Sequence, residues 1–170
     1  EVATLPNPAT SVTISAAASA TSLTINWGTN SNASDTKYQV DLALNSGFTS
    51  GLVTSTTTAT NPTSLAIGAL VPNTTYFARV KTLAVSDIRA NDAAVANAAA
   101  ELATLPNAAT SATISAAASA TSLTVNWGTN SNASNTKYQV DLALNAGFTS
   151  GLVTSTTAAT NPSSLTIGSM

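Results

Sequence analysis

In the run Ser22–Trp27, Leu23, Ile25 and Trp27 fall on one face of an extended chain, and Ser22, Thr24 and Asn26 fall on the other. Lys37–Leu44 alternates in the same way, with Tyr38, Val40, Leu42 and Leu44 opposed to Gln39 and Asp41. Successive side chains of a strand point to opposite faces, so a period of two predicts strands half-buried against a core. Val12 and Ile14 predict an earlier strand, and Phe48 with Leu52, then Leu65 with Ile67, predict two later ones. Tyr76, Ala78, Val80 and Thr82 make one face of a longer strand whose other face carries Phe77, Arg79, Lys81 and Leu83. A last strand is expected between Ala93 and Leu105. Stretches rich in Asn, Gly, Pro and Ser separate these runs, as at Gly28–Ser34 and Asn61–Pro62. About seven short strands in ~100 residues predict an all-β fold, an antiparallel sandwich. Two Ala-rich stretches are ambiguous, because alanine favours helix. Ser15–Thr21 lacks helical apolar spacing and lies between strand signals, so it reads as a bend. Asn91–Ala100 is compatible with a helical turn.

The pattern repeats. Residues 1–70 return as residues 101–170 with 11 differences, most of them mild, such as Ile25 to Val125 and Asp35 to Asn135. Such near-identity points to duplication within a tandem array. The second copy reaches Met170, the counterpart of Leu70, and holds no counterpart of residues 71–100.

Composition narrows the chemistry. Charged residues are 7% of the chain, against a usual ~25%. Polarity comes instead from 22 Ser, 30 Thr and 16 Asn. The chain has no His and no Cys, which excludes disulfides, thiolate metal sites, a Ser-His-Asp triad and a cysteine nucleophile. No enzymatic activity and no cofactor are expected. Phosphate neutralisation needs a basic patch, and five Lys and Arg against seven Asp and Glu supply none, so nucleic acid is not an expected partner. The apolar runs are far shorter than the ~20 residues of a membrane span. Many hydroxyls and few charges fit an extracellular or cell-surface structural protein. No signal peptide is visible and the first residue is Glu1, so a segment upstream is expected.

Three segments together carry a family likeness: TSLTINW with Trp27, KYQVDLAL with Tyr38, and LVPNTTYFARV with Leu70, Pro72, Tyr76 and Val80. They resemble the fibronectin type III domains found in tandem on prokaryotic surface and secreted proteins. Trp127 and Tyr138 repeat the first two positions in the second copy. The resemblance implies a fibronectin type III or immunoglobulin-like sandwich in which Tyr76 forms a corner and bonds back to nearby backbone. It also implies the boundaries. Residues 1–6 are the tail of a preceding repeat or a linker, 7–105 one domain, and 106–170 a second domain lacking its last two strands, joined through Leu105-Pro106-Asn107.

That deficit carries the functional expectation. The absent segment would supply counterparts of Tyr76, Ala78, Val80 and Leu83, each large apolar side chain stabilising by ~1.5–3 kcal/mol when buried. Several such losses rival a small domain's net stability of ~5–15 kcal/mol. The strand at 138–144 would have an unpaired edge. Residues 107–170 are therefore not expected to fold alone. Either the missing strands follow Met170 in a longer tandem protein, which the fragmentary EVATL favours, or another segment inserts as a donor strand. Both arrangements are heterologous and extend head to tail into a fibre, filament or stalk, so self-association or further tandem repeats are the expected partners. The alternative is an accessory spacer or carbohydrate-binding module of a secreted enzyme or adhesin. Sugar platforms need exposed aromatics, whereas Trp27, Tyr38 and Tyr76 are all assigned to the core.

The remaining candidate sites are weak. Asp87, Asn91 and Asp92 carry oxygens that suit a hard cation, but their spacing matches no calcium loop, and a solvated turn is the expectation. The same loop holds an integrin-binding tripeptide in some family members, and Ile88-Arg89-Ala90-Asn91 lacks it. Asp41 and Asp141 read as solvated charges on the polar face, with Lys37, Arg79 and Lys81 as loose cross-strand partners of Asp41, worth ~0–1 kcal/mol. Asn-x-Ser/Thr sequons place possible glycans at Asn32, Asn73 and Asn132, all in predicted turns. The run Thr54–Thr60 is a candidate for O-linked sugar.

Overall fold

The computed structural model of the chain describes residues 5–15, 19–58, 61–83, 94–115, 121–158 and 161–168. Every regular element among them is a β-strand. The chain divides into two units, Glu1–Leu105 and Pro106–Met170.

The first unit runs β1 (Thr10–Ile14), β2 (Leu23–Gly28), β3 (Lys37–Ala43), β4 (Val53–Thr56), β5 (Ser64–Ile67), β6 (Thr75–Leu83), β7 (Ala94–Asn97) and β8 (Leu102–Ala103). One antiparallel sheet has the order β1-β2-β5; the other has β4-β3-β6-β7, with β8 also on β6. The inward faces are those the alternation marks. Leu23, Ile25 and Trp27 of β2 meet Tyr38, Val40 and Leu42 of β3 and Tyr76, Ala78 and Val80 of β6 in one buried cluster. The Trp27 and Tyr38 rings lie 5.3 Å apart at 48°.

β1 enters through a bulge. Thr10 pairs with Gly28 and Thr13 with Asn26, so two residues face one, and Ser11 takes the left-handed conformation. A Cβ on Gly28 would stand 2.5 Å from the Thr10 hydroxyl, which is why glycine ends β2.

Three local expectations change. The expected last strand is two short ones, with the Ala-rich stretch turning at Ala99 and Ala100 between them; the part of it before Ala94 lies outside the described residues. Phe48 is not in a strand: it occupies a turn with φ 55°, held by Asn45, whose Oδ1 accepts from Thr49 and Ser50 backbone N–H groups. Leu44 lies beyond β3 and is half-exposed, because its backbone N–H bonds Ser50 and closes that turn. The Asp87–Asp92 loop and most of the Ser15–Thr21 bend's alanines fall outside the described residues.

The second unit repeats the first five strands: β9 (Thr110–Ile114), β10 (Ser122–Gly128), β11 (Gln139–Leu142), β12 (Val153–Thr156) and β13 (Ser164–Gly168). Its sheets are β13-β10-β9 and β11-β12. Its buried cluster is small: Val125, Trp127, Val140 and Ile167.

Candidate functional site

The two copies of TKYQVDLAL, at 36–44 and 136–144, are identical in sequence and differ in environment. In the first, β3 lies between β4 and β6, pairing along its whole length from Lys37 opposite Leu83 to Ala43 opposite Phe77. In the second, β11 is cut to Gln139–Leu142 and pairs with β12 alone among the described residues. Its inward side chains show the difference. Tyr38 and Leu42 are fully buried, while Tyr138 and Leu142 are only half-buried.

The outer face differs more sharply. Asp41 reads from the sequence as a surface charge, and the structure corrects this: it is 0% exposed. β6 places Arg79 directly opposite it, and Arg79 Nε and Lys81 Nζ approach Asp41 Oδ2 at 2.8 and 2.9 Å. Gln39 Nε2 and Thr54 Oγ1 donate to Oδ1 at 2.7 and 2.9 Å. Arg79 in turn stacks over the Phe48 ring, 4.2 Å from its centroid. Arg79 and Lys81, reaching over from β6, cover the carboxylate, which alternation alone does not reveal. Burial by itself would raise the Asp41 pKa. The hydrogen bonds from Lys81, Gln39, Arg79 and Thr54 outweigh it and hold the carboxyl at about 2, below the ordinary 3.8. Lys37, the third cation expected near Asp41, is exposed, and the ion pairs of Asp41 are with Arg79 and Lys81.

Asp141 is exposed. It accepts from Gln139 and Thr154, as Asp41 does from Gln39 and Thr54, but among the described residues it makes no ion pair. Among the described residues the edge of β11 away from β12 thus carries no partner strand, beside half-buried Tyr138 and Leu142 and an acidic side chain whose twin is clasped by two cations.

A second constellation, absent from the sequence reading, is a set of asparagines at one end of each unit. Asn7 N–H donates to Asn32 Oδ1 at 2.8 Å, and Asn32 Nδ2 donates back to the Asn7 carbonyl at 3.0 Å. Asn30 Nδ2 reaches the Pro8 carbonyl, and Asn61 Nδ2 reaches the Asn32 carbonyl. The buried Tyr38 hydroxyl donates to Asn61 Oδ1 at 2.7 Å. Asn107, Asn130, Asn132, Asn161 and Tyr138 rebuild the set in the second unit. The signal available was the recurrence of asparagine in both copies at turn positions, two of which, Asn30 and Asn61, adopt φ near +51°.

These bonds bear on the sequons. The Nδ2 atoms that would carry sugar at Asn32 and Asn132 are engaged with the backbone of Asn7 and Asn107, and Asn132 is only 6% exposed. A glycan there would displace the clamp. Asn73 is half-buried in a turn with φ 50°, and its N–H donates to the Leu105 carbonyl. In the Thr54–Thr60 run, Thr54 binds Asp41 and Thr57 is buried, its Oγ1 accepting from Tyr38 N–H; Thr60 lies outside the described residues.

The other marked residues lie as follows. Trp27, Leu70, Pro72, Tyr76, Val80 and Trp127 are buried. The Tyr76 hydroxyl accepts from Val71 N–H at 3.0 Å, bending the chain back onto the start of β6. Thr104 fastens the same corner, donating to the Val71 carbonyl at 2.7 Å and accepting from Thr74 N–H.

The fibronectin type III domain profile matches residues 7–93, just over half of the chain. The chain belongs to the fibronectin type III family. Fibronectin type III domains are generally non-catalytic structural or spacer modules, typically of extracellular or surface proteins. Among solved structures, a two-domain fibronectin type III segment of chicken tenascin is similar over 96% of this chain and 84% of its own, with a TM-score of 0.65 and 11% identity. The FN5 domain of Drosophila Lar is similar over 61% of this chain and 100% of its own, with a TM-score of 0.45 and 17% identity. The sixth fibronectin type III domain of human fibronectin type III domain containing protein 3 is similar over 65% and 96%, with a TM-score of 0.42 and 23% identity. No curated protein matches the sequence. The tenascin likeness shows the fold of fibronectin type III domains. Among the described residues no helix is long and apolar enough to cross a membrane.

Proposed function

We propose that the chain is a non-catalytic structural segment of an extracellular or cell-surface fibre, filament or stalk, built from fibronectin type III sandwiches joined head to tail. The second unit is completed by a strand equivalent to β6, from the following chain or a neighbouring subunit. The observation that carries this reading is the edge of β11, which among the described residues pairs with β12 alone and leaves half-buried the Tyr138 and Leu142 whose twins are fully covered. An open edge of this kind is a template for strand addition, so it favours assembly over isolation. The composition agrees: hydroxyls and amides keep the surface wet, and the asparagine sets tie each entry segment to its own sandwich through neutral hydrogen bonds that salt does not screen. Electron microscopy of the native material tests the reading. Filaments or stalks with a repeat of one sandwich are expected; dispersed compact particles would refute it.

A further inference from the structure

We infer that the β11 edge accepts a basic polypeptide strand with the chemistry of Thr75–Leu83, in a register fixed by Asp141. This rests on the strand-completion reading above and adds to it the identity of the acceptable strand. The first unit displays the occupied form of the same edge. There β6 runs antiparallel to β3 with Arg79 opposite Asp41, Lys81 opposite Gln39, Val80 opposite Val40 and Ala78 opposite Leu42. Since 136–144 repeats 36–44 residue for residue, the same partners suit the same places. The strand must therefore offer a small residue against Leu142, an aliphatic one against Val140, and two cations, two positions apart, on the outer face above Asp141.

Charge decides between occupants. A strand without cations would forgo the two ion pairs that β6 makes with Asp41 and leave the Asp141 carboxylate to water. Edge-to-edge pairing of two β11 strands centred on Asp141 would set acid against acid, and like charges directly opposite in a ladder are destabilising. A basic strand meets both demands, because its cations replace the water that now solvates Asp141. The Phe48 counterpart, Phe148, is 53% exposed in a turn of the same left-handed geometry, so a docked arginine has the ring on which to stack.

The test titrates the 170-residue chain with two capped peptides, one of the sequence Thr75–Leu83 and one carrying Arg79→Glu and Lys81→Glu, followed by nuclear magnetic resonance and sedimentation. The first peptide is expected to bind saturably, with shifts concentrated at 138–142 and 148, and the acidic one about thirtyfold more weakly or worse. Asp141→Lys, a change at an exposed position, should reverse that preference. Equal binding of both peptides would overturn the charge register while leaving strand completion intact. Binding of neither, with 139–142 exchanging rapidly, would also overturn it and restrict completion to a covalently attached strand. Binding of neither, with 139–142 as protected as 39–42, would sink the completion reading as well. A dimer in which 139–142 are protected and which the basic peptide does not dissociate would show that the edge pairs with itself, against the inference.

Discussion

Arg79 Nε lies 2.8 Å from Asp41 Oδ2, and that carboxylate has no exposure to water. The pair bridges the two central strands of one sheet, so it reports on whether β6 is in place. Its twin position, Asp141, has the same sequence neighbours and, among the described residues, no cation paired with it.

Asp41→Ala should destabilise the first unit by about 1–3 kcal/mol. Four donors lose their acceptor, though Arg79 and Lys81, at 23% and 24% side-chain exposure, can turn to water. Asp141→Ala should change the second unit by no more than about 0.5 kcal/mol, the usual range for a surface position. Each unit holds one tryptophan, so denaturation followed by fluorescence in a Trp127→Phe or Trp27→Phe background separates the two transitions.

Acid should weaken the first unit through the same carboxylate. The folded pKa of about 2 is below the ordinary 3.8, so Asp41 contributes its stabilisation fully above pH ~4 and loses it as pH falls toward 2. The loss is on the order of 2 kcal/mol, since one pKa unit corresponds to about 1.4 kcal/mol. Urea midpoints measured between pH 5 and pH 2 should fall for the natural chain, and fall much less for Asp41→Asn.

Tyr76→Phe removes the acceptor for Val71 N–H while leaving the ring in the core. A cost of about 1 kcal/mol is expected, the net worth of one such bond. Tyr76→Ala should cost about 3–5 kcal/mol, because it also opens a cavity against the β3 and β6 residues. Comparing the two by thermal denaturation separates the corner bond from the packing.

Asn132→Ala should destabilise the second unit by about 1–3 kcal/mol, since it leaves the Asn107 backbone without its partners in a nearly buried place. A residue serving only as a sugar attachment point would tolerate the change. Thermal denaturation of the unglycosylated variant distinguishes the two roles.

Period two in Ser22–Trp27, Lys37–Ala43 and Thr75–Leu83 was sufficient to mark the inward faces, because burial on one side of a pleated strand dictates that pattern. Turn chemistry was harder to read. Phe48 looked like a strand residue because its neighbours Gly47 and Gly51 say only that a turn is near, not on which side of it the ring falls. Asp41 was misplaced for a different reason. The polar face of a strand is wet only if nothing on the neighbouring strand covers it, and the covering Arg79 and Lys81 come from 38 and 40 positions away. The asparagine sets were hidden in the same way, each bond joining residues more than 20 positions apart, as between Asn7 and Asn32. Pairing across the sheet, rather than local pattern, made both sites.

Amide hydrogen exchange of the intact chain bears most directly on the open edge. Peptic fragments reaching Ser46 or Ala146 tell the two identical strands apart by mass. Residues 39–42 should be strongly protected and residues 139–142 should exchange far faster until a β6-like strand is added. Equal, strong protection of both segments in a monomeric chain would contradict the claim that the second sandwich needs a strand from elsewhere.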